Sequence, residues 1–253
     1  MNRDLIKANL NLHALLQNFE ELTYFDTQTA SLTKDWNETI YFSIMGGIQA
    51  YIEFKEMKCT FGISKPKRSS ISLFFLSPGH CNAMFDGKSI PIPLKGITRI
   101  GFLMTDFPNL TKRLEYYLKP TDELLKNEEY LALNTRFSIN TAMHAIKILA
   151  LMDPVSKHSA SRMKDGVIML KVLPDGPAAQ LIISHGEFKV LKGEIEKPTA
   201  VILFKDLKIA NDMINGKIDA FSAAASGDVL IKGQLPLIDA LNLILDRVPL
   251  YIS

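Results

Sequence analysis

The sequence predicts an α+β fold made of two tandem domains of one design, and three observations carry that reading. The stretch "NAMFDGK" at residues 82–88 returns as "NDMINGK" at residues 211–217, a separation of 129 positions. Each half opens on a helical pattern of apolar residues, and Asn11 maps onto Asn140 at the same separation. Each half then runs through four β-rich segments in the same order, broken by turn residues.

The first helix is marked by Leu12, Leu15, Leu16, Phe19 and Leu22, whose spacing puts them on one face. The segments "TIYFSIM", "QAYIEF", "CTFGIS" and "SISLFFL" over residues 39–76 are rich in β-branched and aromatic residues. They read as an antiparallel meander, with "KPKR" at residues 65–68 as a solvated hairpin tip. After the echo come a short stretch, "KSIPIP", a β-like "TRIGFLM" and a Pro-led helix, "PNLTKRLEYYL". The charged stretch 119–130 is the expected linker, leaving domains at 1–118 and 131–253.

The second half repeats the order. Ile139, Ala142, Met143, Ile146, Leu149 and Ala150 mark its helix, followed by "GVIMLKV", "AAQLIIS", "EFKVLKG" and "TAVILF". Without a gap, Gly47 falls on Gly176, Ala50 on Ala179 and Phe75 on Phe204. Asn215-Gly216 after a helical stretch is a stop signal, because glycine supplies the positive φ of the cap. The alternative organisation is a single mixed domain whose echoes are coincidental.

Composition narrows the function classes. A chain 47% hydrophobic and 22% charged is a folded globular protein. Its net charge of +2, from 29 basic and 27 acidic residues, gives no general attraction for nucleic acid. The N-terminal "MNRDLIKANLNLHALLQNFEEL" has no continuous apolar core of a signal peptide, and no stretch is long enough to span a bilayer. A cytoplasmic location is expected, with Cys59 and Cys81 as reduced, buried thiols.

No catalytic constellation is visible. His13, His80, His144, His158 and His185 lack metal-ligand spacing, and His80-Cys81 are adjacent and diverge on a helix. The sequence has no nucleophile elbow, phosphate-binding loop or dinucleotide fingerprint. Asp26, Asp35 and Asp165 read as solvated caps and turn formers, and Trp36 as core or interface filling. No metal, no cofactor and no enzymatic activity are expected.

Residues 197–245 carry a more specific pattern. An apolar strand (201–204) precedes a helix ending at Gly216-Lys217, a small-residue helix (220–226), "GDVLIKG" (227–233) and a closing helix from Pro236 to Leu245. In order and spacing this resembles the sterol carrier protein 2 family. The likeness extends over residues 139–248, with a fainter copy over 1–118 in which "TRIGFLM" lacks the flanking glycines. The resemblance implies that each domain is a five-stranded, mostly antiparallel sheet with helices on one face. It also implies a hydrophobic tunnel for a sterol, fatty acyl or acyl-CoA ligand.

In the second domain the expected lining is Leu170, Leu181, Ile183, Val190, Val201, Leu203, Met213, Phe221, Leu237, Leu241 and Ile244, with the closing helix as a lid. The expected function is lipid binding or lipid transport without catalysis. One alternative is a pseudo-symmetric scaffold for a protein partner, its tunnels filled by its own side chains. The other is an enzyme on an acyl or isoprenoid substrate. Lys65, Lys67 and Arg68 add the expectation of transient contact with an anionic membrane surface.

Overall fold

The computed structural model describes residues 3–252; Met1, Asn2, Ser253 and the side chain of Phe221 lie outside the described residues. The chain divides into two compact units, Met1–Tyr116 and Tyr117–Ser253. Each holds a five-stranded sheet. No helix among the described residues is long and apolar enough to cross a membrane.

The first unit begins with α1 (Arg3–Leu10) and α2 (Asn18–Phe25), joined by a π turn at Asn11–Leu15. They bury Leu12, Leu16, Phe19 and Leu22, the stripe read from the sequence. After α3 (Thr27–Thr33), strands β1 (Glu38–Ile44), β2 (Gln49–Lys55) and β3 (Lys58–Gly62) form the expected meander. The next strand departs from it. β4 (Ile71–Phe75) lies parallel to β1 on its other side, so residues 63–70 cross the sheet and "KPKR" belongs to a crossover rather than a hairpin tip. Alternation of apolar residues fixes which face a strand buries; it does not fix its neighbour or direction.

A second departure concerns the fifth strand. After α4 (Pro78–Phe85), β5 (Ile92–Lys95) pairs antiparallel with β4, completing the order β3-β2-β1-β4-β5. "TRIGFLM" is therefore helical: a 3-10 turn at Ile97–Arg99 leads to a π segment at Phe102–Asp106 and then α5 (Phe107–Leu118). Pro108 lies inside this run rather than leading it. Pro108 has no amide to continue the α ladder, and the Phe107 amide reaches back five residues to the Phe102 carbonyl.

The second unit repeats the plan. α6 runs from Glu128 to Met152 and takes in residues 128–130 of the expected, partly helical linker, and Lys217 fixes Asp122 at 2.6 Å. There follow α7 (Pro154–Ala160), β6 (Gly166–Val172), β7 (Ala178–Ser184), β8 (Glu187–Lys192) and β9 (Ala200–Phe204). α8 (Leu207–Ile214), α9 (Ala220–Ala225), β10 (Val229–Gly233), α10 (Leu235–Leu245) and α11 (Pro249–Ile252) complete it. The sheet order is β10-β9-β6-β7-β8, again with one parallel pair, β6 with β9, and three antiparallel pairs. On one face α6 packs over β7 and β8, and α8 and α10 over β9.

The strand-to-strand equivalence sharpens the repeat. β4 and β9 start 129 positions apart, but β5 and β10 start 137 apart. The eight extra residues accommodate α9, which has no counterpart among the described residues of the first unit. "IPLKG" at residues 92–96 is thus the partner of "VLIKG" at 229–233. Gly96 and Gly233 close these strands at φ 94° and 92°.

The echo is a pair of helix ends. Gly87 and Gly216 take φ values of 71° and 69°, and the Lys88 and Lys217 amides donate to Ala83 and Asp212 carbonyls. The repeated asparagines tie these helices inward. Asn11 donates to the buried Asn82 at 3.1 Å, and Asn82 to the Asp4 carbonyl at 3.0 Å. Asn211 donates to Asn134 at 2.5 Å and to the Thr135 hydroxyl at 3.0 Å.

Two glycine substitutions separate conformational strain from collision. A Cβ at Gly216 meets nothing within 4 Å, whereas at Gly233 it would lie 2.2 Å from the Thr199 carbonyl oxygen. Gly216→Ala is expected to cost about 1 kcal/mol in denaturant unfolding, and Gly233→Ala several times more. Equal losses would contradict the close approach of β10 to β9.

Candidate functional site

The site is the layer between the second sheet and its helices. Ile168, Leu170, Val172, Leu181, Ile183, Ile202 and Phe204 point from the strands toward the helices, all buried. Helix α10, packed on β9, α6 and α7, buries Leu237, Ile238, Leu241 and Ile244. Pro236 sits in its first turn, where a missing amide costs nothing.

Of the predicted lining, Leu170, Leu181, Ile183, Leu237, Leu241 and Ile244 are in this layer. Val190 pairs with Leu181 and shares its face, half-buried, and Met213 is half-buried on α8. Phe221 lies outside the described residues. Val201 and Leu203 are corrected: they pair with Met169 and Lys171 and so occupy the opposite face of the sheet. "AVILF" is apolar throughout and offers no alternation to reveal its inward face. Ile168 and Ile202 were missed for a related reason, since strands covered on both faces are continuous apolar runs.

That opposite face is covered by the crossover from β8 to β9. Gln180 donates to the Gly193 carbonyl at 3.1 Å, and Lys171 pairs with Glu194 at 2.7 Å. Leu243, expected to widen the α10 face, is instead exposed.

The same layer in the first unit has a different chemistry. Phe42 and Phe54 occupy the positions of Leu170 and Ile183, as their equivalent partners Ala50 with Ala179 and Glu38 with Gly166 establish. Phe107 lies 6.2 Å from Phe19 and 6.4 Å from Phe42, centroid to centroid. Trp36 meets Phe54 at 5.1 Å and Phe102 at 4.7 Å, both edge-on. Trp36 is thus half-buried filling within a cluster of rings, and at these two strand positions the first unit has rings where the second has aliphatic chains.

Each closing helix is fastened at a buried carboxylate. Asp26 caps α3 through the Thr29 amide at 2.9 Å, while Arg113 grips it with Nε at 2.9 Å and Nη2 at 2.6 Å. Asp153 caps α7 through the Ser156 amide at 2.8 Å, and Arg247 grips it with Nε and Nη2 at 3.3 Å each. Tyr251 adds a hydroxyl donor to Asp153 at 2.5 Å. Asp26 is thus a cap, as read from the sequence, but a buried rather than solvated one. Asp165 receives the His185 amide at 2.8 Å near the surface.

Burial pushes the Asp153 carboxyl up, but hydrogen bonds from Tyr251, the Ser156 amide, Arg247 and the Ser156 hydroxyl outweigh it and hold the value at about 2. On α6, burial first, then the charges of Lys147 and Lys192, push His144 down to about 3. Burial raises the Cys81 thiol to about 12, leaving it unreactive.

No protein-family model and no curated protein matches the chain. Among solved structures it is similar to TT1886 from Thermus thermophilus, a conserved hypothetical protein described as a candidate sterol carrier protein. That match has 24% identity over 44% of this chain and 86% of the other, at a TM-score of 0.34. It is also similar to sterol carrier protein 2-like 2 from Aedes aegypti, at 19% identity over 42% and 94% of the two chains and a TM-score of 0.30. Sterol carrier protein 2 from Yarrowia lipolytica gives 19% identity over 40% and 91%, also at 0.30.

The pH response follows from the two depressed groups. The unfolded chain binds a proton at His144 below about 6.5 that the folded chain refuses until about 3, so stability falls as pH drops through that window. Asp153 adds a second loss, of about 2 kcal/mol, between about 3.8 and 2. His144→Gln is expected to flatten the upper limb of an unfolding-versus-pH series, while Asp153→Ala costs about 3 kcal/mol at neutral pH by stranding Arg247 and Tyr251. A neutral-pH loss near zero for Asp153→Ala would contradict the fastening role.

Proposed function

We propose that the second unit binds an elongated apolar molecule, a fatty acyl chain or isoprenoid-like lipid, between its sheet and α10, and carries it without chemical change. The observation that carries this reading is the contrast between the two layers. Phe42 and Phe54 with Phe19, Phe107, Phe102 and Trp36 fill the first layer with rings. Leu170 and Ile183 stand at the matching positions of the second, on β6 and β7. Aliphatic side chains are smaller than rings and make favourable dispersion contacts with another alkyl chain. The ordered pattern over residues 197–245 supports the same reading.

Apolar burial supplies the affinity, at about 0.8 kcal/mol per methylene, which for a long chain reaches micromolar binding after entropy costs. Entry requires α10 to move. Its outer surface exposes Leu235 and Leu243, and its C-terminal continuation is held by Arg247 and Tyr251 on Asp153. A second reading, the scaffold with both layers filled by protein, draws on the near-complete burial of Leu181, Leu241 and Ile244.

Importing the first unit's rings into the second separates these readings. Wild-type protein is expected to displace a fluorescent fatty acid from solution and to retain lipid in native mass spectrometry. Leu170→Phe with Ile183→Phe is expected to lower that binding at least about tenfold, at a stability cost of about 1–3 kcal/mol from overpacking. Lipid-free wild type that takes up no probe favours the scaffold.

A further inference from the structure

The first unit presents a surface that its interior does not explain. Ile90, Ile92, Leu94, Ile97, Ile100 and Met104 are between 37% and 81% exposed and lie in one run along β5 and the helical turns after it. Isolated exposed apolar residues are ordinary, but six in fifteen positions along one sheet edge form a patch of the kind that marks a docking surface.

Charge is concentrated beside it. From Ile63 to Thr105 there are six basic residues, Lys65, Lys67, Arg68, Lys88, Lys95 and Arg99, and one acidic residue, Asp86, which Lys7 already engages at 3.3 Å. The chain as a whole is only +2, so the remainder is net acidic. The crossover 63–70 brings its cations to the patch: Lys65 and Pro66 share a cleft of about 210 Å³ with Leu94, Lys95, Tyr41, Ser43, Ser69 and Ser72. Lys95 reaches across to donate to the Ser69 carbonyl. Arg99 lies 3.3 Å from Glu38 and keeps more than half of its side chain exposed.

We propose that this edge docks on an anionic phospholipid bilayer, with the isoleucines entering the interface and Lys65, Lys67, Arg68 and Lys95 meeting phosphate-bearing headgroups. Two features select the bilayer over other occupants. Pro93 within β5 and Pro91 just before it have no amide to donate, and prolines of this kind disfavour extension of an edge by an added strand. A symmetric contact between two copies would set the same cations against each other. An anionic bilayer accepts both the apolar side chains and the charge.

The surface lies on the first unit, so its test is independent of ligand uptake by the second. Sedimentation with vesicles of phosphatidylcholine and phosphatidylglycerol, against vesicles of phosphatidylcholine alone, measures the binding of the full chain. Preference for the anionic vesicles is expected, falling at least about tenfold in Lys65→Glu/Lys67→Glu/Arg68→Glu and also in Ile90→Ser/Leu94→Ser/Ile97→Ser. Both sets alter exposed side chains, and an unchanged unfolding midpoint verifies the fold.

Insertion is read separately. Because Cys59 and Cys81 are buried, an Ile97→Cys variant takes a polarity-sensitive label selectively, and its emission is expected to shift blue on anionic vesicles. No vesicle binding, binding retained in either variant set, an unshifted label, or a dimer in solution that the isoleucine variants dissolve would each overturn the proposal.

Discussion

The buried carboxylate that caps the short helix before the first strand is the constraint on which each unit turns. Asp26 and Asp153 do two jobs at once, capping a short helix and receiving a guanidinium, from α5 in the first unit and from the turn after α10 in the second. With Asp153 fully buried, each of those partners matters, because a charge removed from water is tolerated only when its hydrogen bonds are met. The pair fastens the end of the chain segment that crosses the sheet last to the segment that precedes it. The position of α10, and hence the closure of the aliphatic layer, follows from that attachment.

Within this common frame the units have diverged in what fills them. The first uses aromatic rings, which pack by offset and edge contacts and resist rearrangement. The second has Leu170 and Ile183 where the first has Phe42 and Phe54, although Phe204 and Phe137 are also buried in it. It also carries α9, whose Asp219 cap accepts from the Ser222 amide at 2.9 Å, between the repeated helix end and the final strand. These differences concern volume and mobility rather than reactive groups.

Much of this was legible from residue order. The stripes through Leu12–Leu22 spacing and Ile139–Ala150 spacing, the β-rich segments and the Gly87 and Gly216 helix ends all appear where periodicity and turn chemistry put them. Strand neighbours were not, because the crossover that sets β4 beside β1 leaves no mark on alternation. The fifth strand of the first unit was hidden by its prolines, although the shared "KG" of residues 95–96 and 232–233 marks it. Six of the expected lining residues lie in the buried layer, where the alternation of β6 and β7 and the buried face of α10 put them, while the unbroken apolar run of β9 hides that Val201 and Leu203 face the other way. The clasp was invisible, since Asp153 and Arg247 are 94 positions apart and only folding brings them together.

The central claim is a division of labour: one unit filled, the other receptive. Amide hydrogen exchange of the full chain with and without saturating long-chain fatty acid tests it most directly. The account predicts added protection in β6, β7, β9 and α10, with the first unit unchanged. Protection spread over both units, or confined to the first, would contradict it.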